Sequence, residues 1–392
     1  MYGLHEYAKM IADEGRVVPF LGSISHTVRS GDVVLELGTG HGHMAVAACN
    51  AGARRVFAIE PNGDALVIAS ELAAANGCAD RITFIHGRSD QVELPERADV
   101  LIEDLRGLLP LFGDRIRSLV DVRERLLKPD ARLVCLHDTV WAAPCSMPAE
   151  FGSYFVRDGV LAGIDGGAVD RRLRNDWCKV RLRPDQLVAD RAALFALDLT
   201  TVSSPDAHGT ASWTIARSER IEGIALWFRG GLAGGFTLDA GPGGAAQVYA
   251  QTFFPLTSGI DVVAGDLVQL DFWAKHTGTD YLFGWTTTHT SGSAPAAPPT
   301  VLRQSTLGSA VGTLPALMRR RADHRPVPGP AAATVNTLMA LADGTRSYAE
   351  IAEALVLECP GRFRDRDEAL AYAMERIAAL EDDDSIWPRR HS

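Results

Sequence analysis

Between residues 33 and 137 the sequence alternates short apolar runs with longer segments, and this alternation constrains the fold more than any other feature. The apolar runs are predicted to be buried strands, and they fall at residues 33–37, 55–59, 82–85, 98–102 and 132–136. The segments with apolar residues at helical spacing fall at residues 43–51, 63–76 and 109–127. Because parallel strands need crossover helices, the pattern predicts an α/β layer with a mostly parallel sheet.

After Pro144 the pattern changes, and the change predicts a different architecture. Runs rich in β-branched and aromatic residues, broken by Gly, Pro and Asp, fall at residues 194–202, 212–216, 221–228, 247–254 and 267–274. They indicate an antiparallel, β-barrel-like domain. A proline-rich linker at residues 326–330 precedes three predicted amphipathic helices, at residues 331–342, 348–357 and 365–380. We therefore expect an N-terminal segment, residues 1–30, followed by domains at residues 31–145, 146–315 and 326–385.

Charge and composition narrow the partners and the compartment. The chain has 39 basic and 49 acidic residues and a net charge of −10, which argues against nucleic acid and anionic membranes as partners. No uninterrupted apolar run reaches the roughly 18 residues of a membrane-spanning helix. The six cysteines form no CxxC pair and no Cys/His cluster, so no metal site is predicted. The N-terminus lacks a basic-then-apolar leader, and together these features favour a cytoplasmic protein.

A glycine-rich loop, Gly38-Thr-Gly-His-Gly42, follows the first predicted strand and opens a helix. Glycines let a ligand approach the main chain closely, and a helix N-terminus offers free N–H groups to a polar or anionic ligand. A tight strand-to-helix turn without a ligand would have the same sequence. Glu60 ends the second strand about 20 residues later, where a carboxylate can accept hydrogen bonds from both hydroxyls of a ribose. The combination favours an adenosine-containing cofactor.

The detail of this loop distinguishes between two kinds of cofactor. Its spacing differs from the G-x-G-x-x-G of dinucleotide-binding proteins, and Glu36 precedes it. The resulting Leu35-Glu-Leu-Gly-Thr-Gly40 resembles motif I of the class I S-adenosylmethionine-dependent methyltransferases, with a nicotinamide enzyme as the alternative. The resemblance implies that Asp90 accepts from the adenine amino group and that the main chain of Ser89 meets the ring. A solvated turn carboxylate or helix cap is the other interpretation of Asp90.

Four further segments make the chain similar to the protein arginine methyltransferases. Residues 2–16 resemble the leading helices of that family, and residues 51–60 resemble its first motifs. Residues 102–107 with 126–130 resemble its acidic hairpin, and residues 221–228 with 247–255 resemble two strands of its barrel. The resemblance implies a Rossmann-like class I methyltransferase domain, a β-barrel-like domain and N-terminal helices that cover the cofactor. It also implies a homodimer, formed through an arm at residues 158–177.

The same resemblance implies that S-adenosyl-L-methionine is the cofactor. Arg16 falls where the family has the arginine that pairs with the methionine carboxylate of the cofactor, and a guanidinium suits that pairing. The implied cofactor contacts are Arg16, Glu36, Gly38, Thr39, Gly40, Gly42, Glu60, Pro61, Ser89, Asp90 and Glu103.

The acceptor side departs from the family. Its members hold the substrate guanidinium between two glutamates, since paired carboxylates orient a planar cation. Glu103, or Asp104 by a shift of one residue, can serve as the first. The position of the second falls near Gly113, and Asp114 is the nearest carboxylate, so the predicted catalytic residues are Glu103, Asp104 and Asp114. The family's Thr-His-Trp loop also becomes Gln247-Val-Tyr249.

Three functions therefore stay open at this point. The first is N-methylation of an arginine or other guanidino group in a protein, peptide or small molecule. The second is N- or O-methylation of a peptide or small molecule in natural-product biosynthesis, on the same scaffold. Residues 336–352 support it, since they resemble the helical part of the small PqqD-like domains, although a structural cap is the other interpretation. The third is a cofactor-binding scaffold without catalysis.

Overall fold

The computed structural model describes residues 3–153, 160–161, 163–244, 247–309 and 324–377. The chain divides into two compact units, Met1–Ala310 and Val311–Ser392. The predicted dimerisation arm falls partly outside the described residues, as does the end of the predicted C-terminal domain.

The first unit begins with helices and a five-stranded parallel sheet, as the alternating pattern predicts. The helices are α1 (Leu4–Ala12), α2 (Glu14–Thr27), α3 (His43–Asn50), α4 (Gly63–Ala75) and α5 (Arg115–Arg125). The strands are β1 (Val33–Leu37), β2 (Arg55–Glu60), β3 (Ile82–His86), β4 (Ala98–Glu103) and β5 (Leu127–Leu133). The strand order is β3-β2-β1-β4-β5. Every residue of β1 is buried, because helices cover both faces of the centre of the sheet.

Two elements of this layer differ from the predicted ones by more than one residue. The helix predicted at residues 109–127 begins only at Arg115, since Pro110 precedes it and Gly113 takes a φ of 47°. The strand predicted at residues 132–136 is interrupted at Val134, where β5 ends and β6 (Cys135–Cys145) starts after one residue. The pairing of β5 with β4 is also irregular around Pro129, which cannot donate a ladder hydrogen bond.

The rest of this unit is antiparallel, as expected for the barrel-like domain. The further strands are β7 (Val160–Leu161), β8 (Ile164–Asp165), β9 (Cys178–Val180), β10 (Ala192–Asp198), β11 (Ala207–Thr214), β12 (Glu219–Leu232), β13 (Thr237–Asp239), β14 (Gln251–Val262), β15 (Leu267–His276), β16 (Tyr281–Thr290) and β17 (Thr300–Ser305). Two short helices, α6 (Ala149–Gly152) and α7 (Gly167–Leu173), accompany them. One sheet has the order β10-β6-β12-β14-β9 with β13 paired to β12, and another has the order β11-β15-β16-β17.

Aromatic side chains join these two sheets in one core. Phe254 of the first sheet meets Phe272 and Trp285 of the second edge to face, with ring centroids 5.3 and 5.2 Å apart. Such pairs add about 0.5–1.5 kcal/mol each to the free energy gained by burial. Trp285 of the β domain thus has a packing role.

The second unit contains three helices, at the predicted places. They are α8 (Pro330–Leu341), α9 (Tyr348–Glu358) and α10 (Arg366–Ile377). Their shared core includes Leu338, Ile351, Leu355 and Ala373. Ser347 caps α9, since its hydroxyl accepts from the N–H of Glu350. Among all the helices of the described residues, none combines the length and the apolar character of a membrane span.

Candidate active site

A cavity of about 490 Å³ lies where the parallel strands β1, β2 and β4 end. Open α/β sheets bind ligands at this edge, because the loops that follow neighbouring strands diverge there. The cavity is lined by the loop after β1, by the ends of β2 and β3, by the segment after β4 and by α1 and α2. The predicted cofactor residues that line it are Arg16, Glu36, Gly38, Thr39, Gly40, Glu60, Pro61 and Ser89.

The glycine loop keeps its part of the cavity open. Gly38 and Gly40 take φ angles of 69° and 53°, which favour glycine. A Cβ on Gly38 would lie 2.6 Å from Cδ2 of Leu105, and one on Gly40 would lie 2.7 Å from Cε1 of Tyr7. A larger residue at either place would therefore displace the neighbouring side chain. The loop has the form of a cradle that a Cβ would fill.

Glu60 lies at the end of β2 with its carboxylate fixed. One oxygen accepts from the N–H of Gly40 at 2.9 Å, and the other accepts from the N–H of Asn62 at 3.0 Å. Burial raises the pKa of the Glu60 carboxyl, and these N–H groups oppose the rise. Tyr7 also hydrogen-bonds this carboxylate. Of the roughly four lone-pair positions of a carboxylate, one is then still open to a ribose hydroxyl.

Three predicted cofactor residues do not line the cavity. Gly42 begins α3, and a Cβ there would lie 2.9 Å from Cβ of Ala69. The carboxylate of Asp90 lies 3.5 Å from Nε of Arg88 and is largely exposed. Glu103 is buried behind the cavity wall. The adenine contact of Asp90 stays a prediction.

Glu36 is a buried acid on the cavity wall. The hydroxyl of Thr39 donates to its carboxylate at 2.6 Å. Burial raises the pKa of Glu36 to about 8, and the Thr39 hydrogen bond opposes this only in part. The side chain is therefore mostly protonated at neutral pH, so it can both donate and accept a hydrogen bond.

Asp104, one of the two predicted acceptor carboxylates that line the cavity, is surrounded by internal donors. Nε of Arg16 donates to it at 2.6 Å, Nη1 of Arg106 at 3.0 Å and the hydroxyl of Tyr249 at 2.5 Å. Burial disfavours its charge, but the two guanidiniums outweigh burial and hold the pKa of the Asp104 carboxyl below its usual range. Asp104 is thus ionised and already paired.

Glu103 is paired in the same way, with Arg115. Nη2 and Nε of Arg115 donate to the two oxygens of Glu103 at 2.6 and 3.0 Å, a bidentate geometry. Nη1 of Arg115 donates to Asp138 at 2.8 Å, and Nε of Arg106 donates to Asp138 at 3.0 Å. All of these side chains are buried. We call Arg16, Arg106, Arg115, Glu103, Asp104 and Asp138 the arginine–carboxylate network.

This network balances three positive charges against three negative ones. Its pairs join residues far apart in the sequence, such as Arg106 with Asp138 and Arg16 with Asp104. Sequence reasoning identified three of its six members and missed Arg106, Arg115 and Asp138. Acids and arginines lie close together in the sequence after β4, which is a weak indication that they pair. An exposed segment has the same composition, so the sequence alone does not predict these ion pairs.

Asp114 stands at the edge of the cavity, next to the position of the missing second glutamate. Its Oδ2 accepts from Arg88 at 2.8 Å, and its Oδ1 lies 3.2 Å from Nε2 of His276. The latter pair is close enough for an ion pair, yet its angles do not make a hydrogen bond. His276, at the end of β15, thus lies beside Asp114 but outside the lining of the cofactor cavity.

The altered barrel loop, Gln247-Val-Tyr249, ties the barrel to the cofactor layer. The N–H of Val248 donates to Asp13 at 2.5 Å, and Nε2 of Gln247 donates to the carbonyl of Gly15 at 3.3 Å. Tyr249 reaches Asp104, as described above. The loop therefore fixes the start of α2 and one acceptor-side carboxylate, although it has no histidine.

The residues present fit S-adenosylmethionine. The glycine cradle and Glu60 at the end of β2 suit an adenosine. The ring nitrogens of His43 have no hydrogen-bond partner among the described residues and lie in the same cavity, which suits a polar amino acid joined to that adenosine. With the parallel sheet and the barrel, they define a class I S-adenosylmethionine-dependent methyltransferase.

Comparisons with known proteins also indicate a methyltransferase, and the relatives named below are protein arginine methyltransferases. A family model described as ribosomal protein L11 methyltransferase matches residues 20–135. The chain is 34% identical over 169 residues to a probable protein arginine N-methyltransferase 6 of Arabidopsis thaliana, covering 43% of this chain and 38% of the relative. It is 27% identical over 306 residues to protein arginine N-methyltransferase PRMT10 of Oryza sativa subsp. japonica, covering 69% of this chain and 80% of the relative.

Solved structures share the fold. The Trypanosoma brucei PRMT1 enzyme–prozyme heterotetrameric complex with AdoHcy matches with a TM-score of 0.70 at 19% identity, covering 78% of this chain and 98% of that one. Protein arginine methyltransferase 10 of Arabidopsis thaliana matches with a TM-score of 0.67 at 20% identity, again over 78% and 98%. The predicted fold class, the methyltransferase activity and the cofactor are confirmed. The chain is an S-adenosylmethionine-dependent methyltransferase similar to the protein arginine methyltransferases.

Proposed function

We propose that this chain methylates a guanidino nitrogen of arginine in a protein or peptide. The observation that carries the proposal is that two carboxylates, Asp104 and Asp114, line the cavity that also contains the glycine cradle and Glu60. The names of the relatives support the same acceptor. Bound S-adenosylmethionine supplies an electrophilic methyl group on a sulfonium.

The chain's own part is to orient the acceptor and to hold its proton. Asp104 already accepts from Arg16, Arg106 and Tyr249, so it has little hydrogen-bonding capacity left for an arriving cation. Asp114 is only partly buried, and its Oδ1 has no hydrogen bond of good geometry within the described residues. Asp114 is therefore the carboxylate we assign to orient the guanidinium and to accept its proton.

A specific observation favours a second candidate, methylation of an acceptor that carries no positive charge. The arginine–carboxylate network is neutral without any ligand, so Glu103 and Asp104 lack the unbalanced charge that attracts a guanidinium. A peptide or small molecule of natural-product biosynthesis would satisfy this arrangement without adding a fourth buried cation.

Labelled methyl transfer to matched peptides tests both candidates. Three peptides that differ only by arginine, lysine or citrulline at one position are incubated with the enzyme and labelled S-adenosylmethionine. The proposal expects the label on the arginine peptide alone. Asp114→Asn should lower kcat/KM at least tenfold, while Asp121→Asn, on the helix that follows Asp114 and paired with Arg125, should leave it unchanged.

Other outcomes point elsewhere. Label on uncharged acceptors, with none on arginine, would establish the second candidate. Binding of AdoHcy without turnover on any acceptor would leave the third function, a scaffold without catalysis.

We also propose a cytoplasmic homodimer that does not bind nucleic acid. In the part of the predicted arm that the structure describes, Ile164 and Val169 are 72% and 61% exposed, and apolar surface of this kind supports an interface. The six cysteines are all free, which suits a reducing compartment. Sedimentation equilibrium should give twice the chain mass, and Ile164→Asp should shift it toward the monomer.

A further inference from the structure

His43 is a polar side chain that nothing in the described protein satisfies. It is the first residue of α3 and lines the cofactor cavity. Neither Nδ1 nor Nε2 has a hydrogen-bond partner among the described residues, and both are shielded from water. An unpaired buried polar atom costs about 1–3 kcal/mol. A ligand that supplied the partner would remove this cost.

The place of His43 indicates which part of the cofactor would meet it. Glu60 ends β2 and Ser89 follows β3, so an adenosine held by these residues would lie on that side of the sheet. The amino-acid end of the cofactor would then lie on the side of β1 and β4. His43 opens the helix that follows β1, and it lines the cavity together with Arg16 and Asp104, which are near enough to act on its charge.

The chemistry of the ring matches the amino-acid end of the cofactor. Burial lowers the pKa of His43 to about 4, and the nearby Arg16 guanidinium lowers it further in the same direction. The imidazole is therefore neutral at pH 7, with one N–H donor and one lone pair. An amino acid presents the complementary groups, a carboxylate that accepts and an ammonium that donates.

Arg16, which is predicted to bind the carboxylate of the cofactor, already donates hydrogen bonds to other groups of the protein. Nε of Arg16 donates to Asp104 at 2.6 Å, and Nη1 donates to the carbonyl of Met10 at 3.1 Å. Arg16 thus holds α1 to the acceptor side and keeps only part of its donor set for a ligand. A second donor beside it is needed to hold the carboxylate in a fixed direction.

We propose that the neutral imidazole of His43 binds the amino-acid end of the cofactor, donating one ring N–H to its carboxylate. The inference rests on the cofactor and is independent of the identity of the methyl acceptor. His43 is therefore a binding residue that fixes where the sulfonium lies, and the glycine loop alone does not supply this contact.

Calorimetric titration of the full chain with two ligands tests the proposal. AdoHcy carries the amino-acid end, and 5′-methylthioadenosine is the same nucleoside without it. A hydrogen bond to a charged group is worth roughly a tenfold change in affinity or more. We expect His43→Ala to weaken AdoHcy at least tenfold and to leave 5′-methylthioadenosine within about twofold.

Two companion variants make the result specific. His43→Asn keeps an N–H donor and should recover most of the AdoHcy affinity. Glu60→Gln changes the ribose contact, so it should weaken both ligands by the same factor. Because neither readout needs an acceptor, they are unaffected if the proposed arginine methylation fails.

Two results would overturn the proposal. If His43→Ala weakens both ligands equally, His43 only supports the start of α3. If it weakens neither, the ring does not contact the cofactor. Should His43→Ala fail to fold, His43→Leu, which fills the space without a donor, takes its place. A loss of AdoHcy affinity with 5′-methylthioadenosine unchanged supports the proposal, and an equal effect on both ligands, or no effect on either, overturns it.

Discussion

Replacing Arg115 by methionine should destabilise the protein strongly. Arg115 pairs with Glu103 at 2.6 Å and with Asp138 at 2.8 Å, and all three side chains are at most 3% exposed. Arg115→Met leaves the buried Glu103 carboxylate without a counter-charge and leaves Asp138 with Arg106 as its partner. Breaking a buried ion pair from one side costs about 3–5 kcal/mol.

That loss corresponds to a fall in Tm of about 6–10 °C, using the lower slope of about 2 °C per kcal/mol that suits a large domain. Thermal and urea unfolding of the ligand-free protein at pH 7 measure it. Arg117→Ala is the matched control. The Arg117 side chain is 58% exposed, and its Nη1 lies 3.8 Å from Oδ1 of Asp114. Its loss should therefore change the free energy of unfolding by less than about 0.5 kcal/mol.

A double variant separates charge from packing. Adding Glu103→Gln to Arg115→Met removes the stranded Glu103 charge, so it should restore part of the lost stability. The reasoning is refuted if Arg115→Met costs under about 1 kcal/mol, or if the second change adds to the loss instead of reducing it.

Three other predictions concern the cavity itself. Gly40→Ala should reduce AdoHcy affinity at least tenfold by calorimetry, since the new Cβ would lie 2.7 Å from Tyr7 at a φ of 53°; unchanged binding would contradict the cradle. The pKa of Glu36 is raised to about 8, so its contribution to stability is fully present below pH 4.5 and is lost as pH rises to 8. Urea unfolding should show up to about 5 kcal/mol of this loss, absent in Glu36→Gln; equal slopes in both proteins would refute it. Tyr249→Phe should cost about 1.5–3 kcal/mol in the same assay, because Asp104 loses a donor at 2.5 Å, and no loss would mean that water replaces it.

The cofactor layer could be predicted from the sequence because its signals are local. The glycine loop, the apolar run of β1 and Glu60 at the end of β2 lie within 28 residues and depend on backbone geometry alone. The barrel is harder to predict from the sequence. Strand β16 ends in threonines and a histidine, so its sequence lacks the alternation of apolar and polar residues that indicates a strand.

The acceptor side could not be predicted, because its chemistry depends on pairs that are distant in the chain. Glu103 and Asp104 have the residue type of acceptor carboxylates, and nothing in their neighbourhood says that Arg115 and Arg16 neutralise them. Tyr249 lies 145 residues from the carboxylate that it contacts. Only the packing of the barrel on the sheet decides which of these charges meet.

The arginine–carboxylate network also limits how sequences of this kind can diverge. A change at Arg115 alone strands the buried charge of Glu103 and leaves Asp138 with Arg106 as its partner, so such a change is tolerated only with a compensating one at Glu103 or Asp138. These positions should therefore covary in chains that share this architecture. A descendant that lost the arginine first could recover its stability by binding a cation in its place, and only such a chain would have Glu103 free to hold a substrate guanidinium.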